Sequence, residues 1–322
     1  MTAPRVRPTL DDVVAAAGRI AGVARVTPLI RSAWLSTVVG ADVWLKLETE
    51  QATGSFKIRG AANAIARLKA AHPSVKTVMT ASAGNHGLGL ATAAGRLGVG
   101  VRVHVPKTAP KAKRDALREL GAELVEADSY DEAEARAQAE RRAGATFISA
   151  YSDQDVIAGA GTVALEMLAE RPELDTFIVP IGGGGLISGT AIVARARVPH
   201  ALVVGTEAEA SPAWTHALAA GRPVTVEVRP TLADGLAGNM EPDSMTFDVV
   251  RDLVDRVIDV DEAAIASAMR DLLRNDHVVA EGAAATAVAA LLQPFDRLDL
   301  SGRRIGVIVS GGNVDSVPPI TR

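Results

Sequence analysis

The sequence predicts a parallel α/β protein whose working residues lie where strands hand over to helices. Two observations carry this. Short runs rich in β-branched residues alternate with Ala-rich helical stretches along the 322 residues. Several of these runs end directly in glycine-rich or polar turns, each followed by a helix pattern. Strand, helix, strand at this spacing gives a parallel sheet covered on both faces.

In chain order, strands are read at 42–48 (DVWLKLE), 76–82 (KTVMTAS), 101–106 (VRVHVP) and 122–127 (AELVEA). Three more follow at 176–182 (TFIVPIG), 201–207 (ALVVGTE) and 304–312 (RIGVIVSGG). GNHGLGLATAAGRLG, KAKRDALRELG and SYDEAEARAQAERRAG are read as helices between them. The strand–helix units over 77–149 are expected to form a small domain. It is inserted in a larger one made of residues 1–76 and 150–322. The basic stretch Lys107–Arg118 reads as the polar face of a helix.

Composition excludes several classes. The chain is 48% apolar and 22% charged, as for an ordinary globular protein. Aromatics make up only 3%, so Ala, Val, Leu and Ile must build the core. Net charge is −4 without a long basic run, which argues against nucleic acid as a partner. With no cysteine, disulfides, thiolate metal sites and a thiol nucleophile are out. The six histidines are scattered with no HxxxH or HxH, so no metal is expected. There is no apolar leader and no 18-residue apolar run, so a cytoplasmic protein with no membrane role is expected.

Ligands of parallel α/β proteins bind at the carboxyl ends of strands. Four junctions stand out there. In VPIGGGGLISG, Gly182, Gly183, Gly184 and Gly185 follow an apolar strand and open a helix. Glycines let the backbone close on a ligand, and the helix N-terminus favours an anion. No GxxxxGK[ST] follows, so this is not a P-loop. Glu207 lies at a tolerable distance for the acid of a dinucleotide fingerprint, so an NAD-dependent dehydrogenase stays open at this point. SAGNHG gathers Ser82, Asn85 and His86 beside helix amides. It reads as a carboxylate-binding turn or as a helix start capped by Ser82 or Asn85. SGGN at 310–313 is a strand end followed by two glycines.

The fourth junction, TGSFKIRG, contains Lys57. The chain has only seven lysines among 34 basic residues and none after Lys113. A lysine held against apolar neighbours has its charged form disfavoured and becomes a nucleophilic amine. Such amines form Schiff bases with pyridoxal 5'-phosphate, which also needs a phosphate cup and a partner for its ring nitrogen. The glycine run offers the cup and Ser310 the partner. A solvated surface charge is the alternative reading of Lys57.

GSFKIRGA, SAGNHG, VIAGAGTVALE, VPIGGGGLISG, ADGLAG, AEGAAA and SGGNVD run in order over nearly the whole chain. In this the sequence resembles the serine/threonine dehydratase and serine racemase group of pyridoxal-phosphate enzymes, of fold type II (tryptophan-synthase-β-like). The cysteine-synthase branch, with SVKDR-type and SGNTG-type motifs, does not match. The resemblance implies a two-lobed fold with the site between the lobes, pyridoxal 5'-phosphate as cofactor, an amino-acid substrate and a homodimer or homotetramer. It implies that Lys57 binds the cofactor as a Schiff base and takes the substrate α-proton, with Phe56 packing on the ring. Asn85 would contact the ring hydroxyl. Gly182 to Gly185 and the Leu186 amide would hold the phosphate, and Ser310 would bond the pyridine nitrogen. Ser82, Ala83, Asn85 and His86 would line the substrate carboxylate. Gly235 and Glu281 match positions near the ring.

The implied reaction is β-elimination from a β-hydroxy amino acid such as L-threonine or L-serine, giving a 2-oxo acid and ammonia. A serine hydroxyl does not keep the pyridine nitrogen protonated as a carboxylate would, so rapid loss of the β-hydroxyl is favoured over a long-lived carbanion. In serine racemases the loop reads SSGNH and the second Ser is the opposite base; here it is Ala83, so elimination is expected over racemisation. The family's divalent-metal pair is half missing: Glu207 fits the first position and Ala213 the second, so Glu207 reads as a strand-end surface acid. The sequence stops nine residues after Asn313, so feedback through a C-terminal regulatory domain is not expected. LADGLAGNMEPDSMTFD departs from the group's usual continuation, so a bulkier substrate (a phenylserine or a hydroxyectoine-derived acid) stands as an alternative. Racemisation, β-replacement and a catalytically dead relative are further alternatives.

Overall fold

The computed structural model describes residues 6–293, 300–314 and 316–318. Its strands are β1 (Leu29–Arg31), β2 (Asp42–Leu47), β3 (Thr77–Ala81), β4 (Gly100–Pro106), β5 (Glu123–Ala127), β6 (Thr176–Pro180), β7 (Leu202–Ala208), β8 (Arg256–Val260) and β9 (Arg304–Val309). Its helices are α1 (Leu10–Ile20), α2 (Ala33–Val39), α3 (Lys57–Ala71), α4 (Asn85–Leu97), α5 (Lys111–Glu119) and α6 (Tyr130–Arg142). After these come α7 (Gln154–Glu170), α8 (Gly185–Arg197), α9 (Ala213–Ala220), α10 (Met245–Leu253), α11 (Glu262–Asp271) and α12 (Gly282–Leu292). The strands form two sheets, a six-stranded one in the order β1-β2-β9-β6-β7-β8 and a three-stranded one in the order β3-β4-β5.

Every pairing is parallel except β1 with β2, so the strand–helix units point their carboxyl ends the same way within each sheet. Alternation along β2 shows how both faces of the larger sheet are covered. Val43, Leu45 and Leu47 enter the core against α11 and α12. Trp44 points to the opposite core, with Phe177 and Val179 and residues of α7 and α8. The low aromatic content has its consequence here. Helix α12 (GAAATAVAALL) is buried almost throughout, and small side chains let it lie close against the sheet.

Two strands escape the sequence pattern. β1 is only three residues long and β8 (RVIDV) is an edge strand with charges at Arg256 and Asp259, so neither makes an apolar run. The last strand stops at Val309 rather than 312. There the chain leaves the ladder and Gly311 pairs with Ser55 in an isolated antiparallel bridge. Of the basic stretch only Lys111 to Arg118 lies in α5, with Arg118 paired to Asp115 and Glu126; Lys107 sits in the turn after β4, paired to Asp128.

Candidate active site

Lys57 is the first residue of α3, and the loop before it is stitched to the end of β9. The Phe56 amide donates to the Ser310 carbonyl at 3.0 Å. This places Lys57, Phe56 and the buried Ser310 together at the carboxyl end of the central strand. Lys57 Nζ donates to the Ala150 carbonyl at 3.0 Å and stands 5.1 Å from the Phe56 ring centroid. Desolvation lowers its pKa to about 8, against the opposing pull of the Glu281 carboxylate. The surface-charge reading of Lys57 is thereby set aside.

Helix α4 brings the SAGNHG turn to the same place. Asn85 Nδ2 lies 2.9 Å from both Glu281 oxygens, and Asn85 Oδ1 accepts from Asn313 Nδ2 at 2.8 Å. His86 Nε2 meets the Ile148 carbonyl at 3.2 Å, so Nε2 carries the hydrogen and Nδ1 has no partner. Burial, and then the charge of Lys57, hold the imidazole pKa at about 3, so it stays neutral. Neither Ser82 nor Asn85 caps α4. The N-cap is Gly84, and the Ser82 hydroxyl accepts from the Gly84 amide at 3.3 Å. Ala83 packs against the core of the smaller sheet.

The glycine run joins β6 to α8 with three of its carbonyls engaged by protein donors. Gly182 O accepts from Trp214 Nε1, Gly183 O from the Thr246 hydroxyl at 2.8 Å and Gly184 O from the Ser188 amide at 2.9 Å. Among the described residues no acceptor meets the amides of Gly183, Gly184, Gly185 or Leu186. A Cβ on Gly183 would lie 2.1 Å from the Tyr151 ring, and Gly184 has φ +87°, so side chains are excluded. Tyr151 follows Ala150, the acceptor of Lys57, so the cup and the amine share one wall. Four amides without a protein acceptor among the described residues, at a helix N-terminus, suit a phosphate, and a desolvated amine on the same wall suits an aldehyde. The residues fit pyridoxal 5'-phosphate.

The 233–238 loop closes this region. A Cβ on Gly182 would lie 3.3 Å from Gly235 O, and one on Gly235 would lie 3.8 Å from Glu281 Oε1. Burial raises the Glu281 pKa to about 7 despite the Asn85 amide.

Glu207 needs correction. It is 1% exposed and accepts the amides of Trp214 at 2.9 Å and Thr215 at 2.7 Å, at the start of α9. Both oxygens serve the helix N-terminus, with Ala213 where a second carboxylate would stand, so the set does not fit a divalent ion. Sequence reading missed Ala150, Tyr151, Trp214, Thr246 and Asn313. A backbone carbonyl leaves no sequence signal, but Asn313 closes the SGGN motif.

Residues 20–311 match the model of a family described as "Pyridoxal-phosphate dependent enzyme". The chain belongs to this family. It is an enzyme of fold type II with pyridoxal 5'-phosphate as its cofactor, in the ammonia-lyase class. The dehydrogenase reading of the glycine loop falls with this. The chain is 41% identical over 309 residues to an L-threonine ammonia-lyase of Thermotoga maritima, covering 95% of this chain and 76% of that protein. It is 38% identical over 310 residues to a catabolic L-threonine dehydratase of Escherichia coli, covering 95% and 93%. The solved structure of maize serine racemase superposes with a TM-score of 0.90 at 36% identity, covering 96% of this chain and 95% of that one.

Proposed function

We propose that the chain dehydrates and deaminates a β-hydroxy amino acid of the L-threonine or L-serine type to a 2-oxo acid and ammonia. One observation carries the reading: a desolvated Lys57 amine stands at the same strand ends as Ser310 and a cup of free amides at Gly183–Leu186. The named relatives that act on threonine support it.

When bound, the cofactor withdraws electrons from the substrate Cα. The amides of Gly183 to Leu186, with the Gly182 turn, would hold its phosphate, and Phe56 would pack on its ring. Ser310 would bond the ring nitrogen and Asn85 the ring hydroxyl, with Glu281 and Gly235 bordering the ring. Lys57 moves the proton at Cα; its pKa of about 8 leaves a sizeable neutral fraction near neutrality. Ser82, Asn85 and the backbone amide of His86 at the start of α4 would bind the substrate carboxylate, since the His86 ring hydrogen is already given to the Ile148 carbonyl. Ala83 presents no proton on its side, which favours elimination over inversion. We further propose that residues 77–149 form a small domain against a large domain of 1–76 and 150–322. For assembly, the resemblance supports a homodimer or homotetramer.

A panel of β-hydroxy amino acids, assayed for ammonia and 2-oxo acid with the cofactor loaded, tests the reaction. Stoichiometric release from L-threonine or L-serine is expected. Turnover only of a phenylserine moves the substrate to the bulkier class, and release from none refutes the reading.

A further inference from the structure

Two residues beyond Lys57, on the same first turn of α3, Arg59 is completely buried at 0% exposure. Its Nε and Nη2 donate to the two oxygens of Glu48 at 2.8 Å each. Its Nη1 and Nη2 donate to the two oxygens of Glu166 at 2.6 and 2.8 Å. Thr162 Oγ1 at 3.1 Å takes the second Nη1 hydrogen, and the Arg25 carbonyl lies 3.1 Å from Nη2, sharing a hydrogen already directed at a carboxylate. Lys46, 1% exposed, adds a second cation, with Nζ 2.6 Å from Glu166 Oε2. The cluster is thus two cations against two carboxylates, with Arg59, Lys46 and Glu48 buried and Glu166 at its partly exposed edge.

A buried ion cluster is weak support for stability, because removing charges from water offsets most of their attraction. What this one joins suggests its use. Glu48 and Lys46 lie at the end of β2, whose register with β9 (Lys46 with Ile308, Leu47 with Val309) leads directly to Ser310. Glu166 and Thr162 belong to α7, which the chain enters from Ala150 and Tyr151. Arg59 belongs to α3 and so to Lys57. The α3–α7 contact has no slack. A Cβ on Gly60 would lie 2.8 Å from Val156 O, and one on Gly159 would lie 2.5 Å from Arg59 O. A planar fork with bonds to both carboxylates fixes direction as well as distance.

We propose that Arg59, through Glu48 and Glu166, is a positioning residue that holds the Lys57 amine in register with Ser310 and the Ala150 carbonyl. This rests on the role proposed above for Lys57.

The test compares Arg59→Lys with the parent chain. Lysine keeps the charge but loses the fork. Three readouts are taken: kcat against KM, the visible absorbance of bound cofactor, and the Lys57 pKa in cofactor-free protein from the pH dependence of its reductive methylation. The variant is expected to fold, bind cofactor and keep KM within about twofold, while kcat falls roughly ten- to hundredfold, as for a displaced catalytic group. The Lys57 pKa is expected to rise from about 8 toward the ordinary lysine value as the amine loses its enclosed setting. Parental kcat and parental Lys57 pKa in a folded variant overturn the proposal. If Arg59→Lys does not fold, Glu166→Gln, which leaves the Glu48 fork intact, is read in the same way. Should the parent chain turn over no substrate, the functional reading fails, while the methylation pKa still decides the positioning role.

Discussion

The side-chain amide of Asn85 sits 2.9 Å from both oxygens of the Glu281 carboxylate, across 196 residues of sequence. The contact joins the start of α4 to the residue before α12, so it links the helix after β3 to the core of the larger sheet. Asn313 completes the relay on the other side of the amide.

The Glu281 contact gives a pH dependence. Its folded pKa, about 7, lies above its ordinary value of 4.5 because burial disfavours the charge. Between these values the folded protein binds more protons than the unfolded chain. This contribution to stability is therefore full below the ordinary value and is lost as pH rises through about 7. Denaturant titrations of cofactor-free protein should show Glu281→Gln losing less stability than the parent between about pH 5 and about pH 8. The difference should be on the order of 3 kcal/mol. Equal pH slopes would mean that Glu281 is already ionised throughout.

Gly183→Ala should damage cofactor binding more than folding. The added Cβ would meet the Tyr151 ring at 2.1 Å, so ring or loop must move and the free amides turn away. Losing one or two charge-assisted bonds to a phosphate weakens the complex by roughly 10- to 100-fold. A fluorescence titration of apo-protein with pyridoxal 5'-phosphate measures this.

Trp214→Phe removes the donor to Gly182 O and leaves that carbonyl unpaired behind the cup. The Phe247 stacking partner, 6.4 Å away, keeps an aromatic neighbour. A loss of about 1–3 kcal/mol in stability is expected by denaturation, together with weaker cofactor retention on dialysis.

Ala83→Ser restores a hydroxyl at the position where the resembling racemases carry a base. D-serine should then form from L-serine, where the parent forms none detectable, while ammonia release persists. Chiral chromatography of the reaction mixture reads both. A variant that eliminates but never inverts would show that position 83 alone does not set the outcome.

Much of this site is written in local pattern. Four glycines after an apolar strand announce an anion cup because other residues tolerate neither the φ of +87° at Gly184 nor the Tyr151 ring against Gly183. Lys57 in a Gly-flanked turn became a chemical candidate only beside that cup and Ser310. What sequence did not disclose depends on distant chain returning to the site. The Ala150 carbonyl has no side-chain signature, and Tyr151 matters because the chain entering α7 crosses the cup. Glu207 looks like a surface acid at a strand end, yet the turn through Pro212 brings two amides of α9 back onto it. β8 hides because an edge strand with one half-buried face carries charges that break its apolar run.

The central claim is that Lys57 is the residue joined to the cofactor. Borohydride reduction of the cofactor-loaded protein, followed by peptide mass spectrometry, tests it most directly. The account predicts a single pyridoxyl adduct on Lys57, absent from Lys57→Ala. An adduct on Lys46 or on any other lysine, with Lys57 unmodified, would contradict it.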